Sequence, residues 1–153
     1  MNTVFAKTAI EFAKFRSQAY DQYTKKFFPD GFSTLGGDEH FDSIEYARYE
    51  VWDAALNIYL DSLDYQDILD IEALMMFGRG DDSSSTFNDL RRYLSDTYPN
   101  EDGKSMAVEY IASKEPLAEY LSTGLDHLNR HSARFASSTN RNESVLASGR
   151  LSC

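Results

Sequence analysis

Apolar residues recur at three- and four-residue steps along most of the chain, and short polar breaks divide that pattern into helices. The first run is Phe5, Ala9, Phe12, Phe15, Ala19, Tyr23 and Phe27, one stripe on a helix that Asn2 or Thr3 can cap and that reaches about Phe28. Pro29-Asp30-Gly31 stops it. Asp42 or Ser43 caps a second helix, which continues through Tyr49, Trp52, Leu56, Tyr59 and Leu60 to about Ser62. Asp64 opens a third, with Ile68, Ile71, Leu74, Met75 and Phe77 on its buried side and Gly78 as its left-handed end. Ser85 caps a fourth through Phe87, Leu90, Tyr93 and Leu94, which ends before Pro99. A short helix from Lys104 to Ala112 follows. Pro116 then fits the first turn of a last helix bearing Leu117, Tyr120, Leu121, Leu125 and Leu128 on one face. Gly124 lies in the middle of that helix, where glycine costs about 1 kcal/mol against alanine. Close approach of a neighbouring backbone would account for it.

The pattern therefore predicts an all-α single domain of five to six helices over residues 1–131, with a long N-terminal helix. From Ser132 the periodicity fails. Ser, Asn, Arg and Gly dominate, so 132–153 is expected to be a mostly disordered tail. The segment around Gly36-Gly37 reads as a flexible loop. A length of 153 residues suits one core rather than two.

Charge changes the picture more than composition does. The net charge is −10, and residues 38–72 alone hold eleven acids against the single base Arg48. Such a field repels nucleic acid and anionic membrane and draws in cationic partners. Direct nucleic-acid binding is not expected. No stretch approaches the roughly 18 apolar residues that would cross a bilayer, and Lys7, Glu11 and Lys14 interrupt the N-terminal apolar pattern. The lone cysteine, Cys153, cannot form an internal disulfide, so a cytoplasmic location is the expectation.

Within the acidic third, Asp61, Asp64, Asp67 and Asp70 recur every three residues, with Glu72 and Tyr65 close by. They lack the spacing, glycine turn and closing Glu of a calcium loop. They read instead as a face for docking a protein with a basic surface, where tyrosines anchor and acids steer. Gly78-Arg79-Gly80 could form an anion-binding turn, although a helix cap with Arg79 paired to a nearby acid is the plainer reading. His127 and His131 stand four apart without a third ligand, which does not make a metal site. His40 reads as an exposed loop histidine. No Gly-x-Ser-x-Gly elbow or P-loop occurs, and neither cofactor nor metal is expected.

The segment Leu74-Met75-Met76-Phe77-Gly78-Arg79-Gly80-Asp81, taken with Pro116-Leu117-Ala118-Glu119-Tyr120-Leu121-Ser122-Thr123-Gly124-Leu125, resembles an uncharacterised bacterial domain family over about residues 64–128. The resemblance implies a compact helical domain and no catalytic residues. The leading functional expectation is thus a non-enzymatic interaction domain, with an inhibitor or immunity-type protein as one form. A small-ligand protein or enzyme using Arg79, His127 or His131 is the first alternative. A self-assembling subunit is the second, with the Phe-rich stripe of the first helix as its seam.

Overall fold

A computed structural model of the chain describes residues 1–31, 38–81 and 85–147, with side chains up to residue 134. The predicted Gly36-Gly37 loop lies outside the described residues, as does Cys153. Among the described residues the architecture is entirely helical: α1 (Thr3–Phe27), a 3-10 turn (Asp38–Asp42), α2 (Ile44–Ser62), α3 (Tyr65–Arg79), α4 (Phe87–Thr97), a second 3-10 turn (Glu101–Gly103), α5 (Lys104–Ala112) and α6 (Leu117–Ala147). None of these helices is long and apolar enough to cross a membrane.

Local chemistry sets most of the boundaries. The Asn2 side chain accepts the Val4 N–H, and the Ser43 hydroxyl accepts the Tyr46 N–H, so both helices begin on a satisfied cap. Asp64 opens α3 without a side-chain bond. At α4 the cap is Thr86 rather than Ser85. Its hydroxyl accepts the Asp89 N–H while the Asp89 carboxylate accepts the Thr86 N–H at 3.0 Å, a reciprocal box that Ser85 could not make with its own third residue, Asn88.

α3 is the centre of the bundle. Ile68, Leu69, Ile71, Ala73, Leu74 and Met75 are all buried, so the helix is apolar on nearly every side, with α6, α4 and α5 around it. Leu69 and Ala73 meet Leu90 and Leu94 of α4, while Ile68, Ile71, Leu74 and Met75 join the main core with α1, α2, α5 and α6.

Of the predicted stripe on α1, Ala9, Ala19 and Tyr23 are buried, while its phenylalanines lie toward the edge of the buried face. Ala6, Ala9 and Ala13 are fully buried with Ile10 beside them, Phe5 and Phe12 only flank the core, and Phe15 is exposed. Small side chains let neighbouring helices come close, and the aromatics then close the seam from its edges. Phe12 packs on Tyr59 at 5.3 Å and Phe15 stacks on Trp52 at 4.6 Å between ring centres. The Phe-rich stripe is thus spent largely on α2 within the chain.

α6 extends to Ala147, with its side chains described up to residue 134. Among the described side chains, Leu128 is the last apolar residue of α6 that packs on the main core, in keeping with the loss of apolar periodicity from Ser132.

Candidate functional site

The Gly-Arg-Gly-Asp segment closes α3, but its glycines exchange their expected roles. Gly78 is still helical, and Gly80 is the left-handed cap with φ 76°, its N–H bonding to the Met76 carbonyl at 3.1 Å. Gly78 is required for another reason. A Cβ there would overlap the Tyr120 carbonyl oxygen and lie 2.7 Å from the Gly124 nitrogen. Reciprocally, a Cβ on Gly124 would overlap the Leu74 carbonyl oxygen. The two glycines let α3 and α6 cross with their backbones in contact, which accounts for glycine in the middle of α6.

Arg79 is occupied. Its guanidinium forms a two-pronged pair with Asp81 and donates to the Tyr110 hydroxyl at 3.1 Å. The Asp81 hydrogen bond is the main cause that raises the Arg79 pKa further. With α6 against Gly78 and Asp81 on the guanidinium, this helix end holds its own anion. His127 and His131 pack against Phe77, with ring centres at 5.5 and 6.2 Å. No group of three metal-ligating side chains occurs among the described residues.

The acids of the predicted docking face separate into two sets. Asp61 and Asp64 are exposed and Asp67 is half-buried. Burial, and after it the charges of Asp70 and Asp64, pushes the Asp67 carboxyl above its ordinary value. Asp70 is engaged internally, with Arg91 Nε at 2.6 Å and the Met1 amine at 3.7 Å. Glu72 is only 2 % exposed and does not share the surface at all. Its Oε2 has no hydrogen-bond partner, and desolvation pushes the carboxyl up to about 7. Tyr65 is half-buried with an unpartnered hydroxyl. Asp61 lies near the end of α2 and Asp64 caps α3, so only Asp67 and Asp70 carry the repeat along one helix, a turn of about 300° apart, and Glu72, about 200° further on, lands inward.

Elsewhere in the acidic third, Glu45 pairs with Lys26 at 2.7 Å, and Asp53 pairs with Arg16 at 3.2 Å. Arg16 escaped sequence reasoning because it stands between apolar positions of α1 and resembles an edge residue. It is 1 % exposed and reaches across the bundle to the carbonyls of Ala112 and Lys114, both at 2.5 Å. It thereby satisfies carbonyls at the C-terminal end of α5 that no further turn of helix would serve. His40, expected to be exposed, is half-buried, with Nδ1 2.6 Å from the Tyr23 hydroxyl and its ring among Phe27, Phe28 and Phe41.

Residues 53–130 match the model of a family described as a protein of unknown function, DUF3775. The chain belongs to the DUF3775 family. No curated protein and no solved structure matches it. The family segment contains both motifs that carried the resemblance, and in this DUF3775 chain they meet physically as the α3–α6 crossing. The most motif-like residues of the segment, Gly78, Arg79, Gly80 and Gly124, are therefore engaged in holding the domain together.

Proposed function

We propose that this chain is a non-enzymatic protein-interaction domain whose acidic corner, at the junction of α2 and α3, engages a basic surface on another protein. The observation that supports this reading is the division of the acids. Glu45, Asp53 and Asp70 have cationic partners within the chain and Glu72 is buried. Asp61 and Asp64 remain exposed, and the Asp67 anion beside them is disfavoured first by burial and then by the charges of Asp70 and Asp64. A cationic side chain placed there would offset the mutual repulsion of these carboxylates, and rim charges of this kind act chiefly on association rate and salt dependence. The binding set accordingly narrows to Asp61, Asp64 and Asp67, since Asp70 is paired with Arg91, Glu72 is buried and Tyr65 is half-buried. An inhibitor that covers the phosphate-binding surface of a nucleic-acid enzyme is one concrete form. The partner is then a protein, with no direct contact to nucleic acid or membrane.

The occupied state of Arg79 weighs against a small-ligand site at the end of α3. The test is capture of proteins from the native cell extract by the tagged chain and by the Asp61→Asn/Asp64→Asn/Asp67→Asn variant, each eluted with rising salt. A basic protein held by the parent chain, released by salt and lost with the variant is the expected result. Equal retention of that protein by both chains, insensitive to salt, would sink the proposal.

A further inference from the structure

α2 is apolar on two opposite sides. Its inner face, with Leu56 and Leu60 fully buried, packs on α1 and α5. Its outer face carries Ile44, Val51 and Ile58, exposed to 62, 63 and 69 %, with Ala47 and Ala54 exposed between them. These five positions follow alternating steps of three and four residues, the spacing of a helix–helix seam. On a straight helix they fall within about 80° of one another, opposite the core face. A surface helix normally reserves that side for charge.

We infer that the outer face of α2 is covered by α2 of a second copy of this chain, running antiparallel about a two-fold axis. Two observations select this occupant. The first is size: β-branched residues alternate with alanines along the stripe. In the antiparallel register Ile58 lies over Ala47 of the second copy and Val51 over Ala54 of the second copy, and the reverse contacts follow by symmetry. Both layers set a large side chain against a small one, and in the same register Ile44 meets Asp61 of the second copy only at the ends of the seam, so the central stripe is complementary to itself, as an isologous interface requires. The second is charge. The chain carries −10 in all, yet the five stripe positions are uncharged and are flanked by Arg48 on one side and Glu50 on the other. A basic partner would need acids along this stripe. A second copy of an acidic chain needs it neutral, as it is. This face meets the acidic corner at Asp61, and its test, association of the chain with itself, is read with no basic protein present.

The test is sedimentation equilibrium of the full chain from about 1 to 300 µM, since one helix pair is a small interface and micromolar dissociation is expected. The mass should rise from 17.4 kDa to twice that value. Val51→Glu and Ala54→Glu should each weaken association at least roughly tenfold, with unchanged helical circular dichroism because neither side chain reaches the core. Val4→Glu, exposed to 61 % but off the stripe, should leave association unchanged. In a Cys153→Ser background, Val51→Cys mixed with Ala54→Cys should cross-link more readily than either alone. A monomer throughout the range, a dimer indifferent to Val51→Glu, or preferential Val51→Cys self-linking, as in a parallel pair, would each overturn the inference.

Discussion

Replacing Glu72 with Gln removes a buried ionisable group while keeping its shape. The carboxyl titrates at about 7 in the fold against 4.5 when solvated, because burial disfavours the anion. Below pH 4.5 the group is protonated in both states and has no effect on stability relative to a neutral side chain. Between the two values the unfolded chain loses its proton first, so the native state binds more protons and stability falls as pH rises. Above about 7 the loss is complete. At about 1.4 kcal/mol per tenfold change in proton affinity, the window corresponds to roughly 3 kcal/mol. The Gln variant lacks this slope. Urea unfolding of both chains from pH 4 to 8.5 should therefore show their stability difference moving in favour of Gln by about 3 kcal/mol, mostly within the window. Taking the difference cancels the other titrating groups, including Glu45, whose carboxyl is held low by Lys26 and gives the opposite slope. A difference that stays flat across that range would refute the reasoning, for it would mean that the Glu72 anion is solvated or paired in the fold.

Gly78→Ala should destabilise by about 3 kcal/mol or more, since the added carbon meets backbone and no flexible side chain. Gly80→Ala should cost only about 1 kcal/mol, because space is open there and the strain lies in φ alone. Denaturant midpoints of the two variants check the order. Arg16→Met should cost about 3 kcal/mol by leaving the Ala112 and Lys114 carbonyls without their donor. Arg16→Lys should recover part of that loss, because an ammonium cannot fork to both oxygens in the same geometry, and thermal melts of the three chains give the comparison.

The features legible in the sequence were those fixed by neighbours along the chain. Asn2 and Ser43 cap where they should, and Lys104–Ala112 has its expected limits, because capping and helical periodicity act over one turn. The contact at Gly124 could also be anticipated, since a costly residue in mid-helix implies a compensating neighbour. What stayed hidden depends on residues far apart in sequence. Gly78 and Gly80 are equally fit to end a helix, and only the passage of α6 over Gly78 assigns their roles. The alanines of α1 look like filler between phenylalanines until three helices converge on them. The acids drew attention as a charge repeat, yet the turn of α3 sends Glu72 into the core while Asp64 stays outside. The seven-residue spacing of Ile44, Val51 and Ile58 was present all along, but the stronger inner pattern of Trp52, Leu56 and Leu60 masked it.

The family match begins at Asp53, and that residue sits within α2 holding the guanidinium of Arg16 from α1. The limit of shared sequence is therefore not a limit of the folded body. A polypeptide cut to residues 53–130 would start partway along α2 and lack Ala6, Ala9 and Ala13, which cover the core shared with Leu56, Leu60, Leu117 and Leu121. It would open an apolar trough the length of a missing helix, with the end of α5 left unanchored. Any relative that shares only the matched segment must supply a helix of its own to lie in that trough, from elsewhere in its chain or from another subunit.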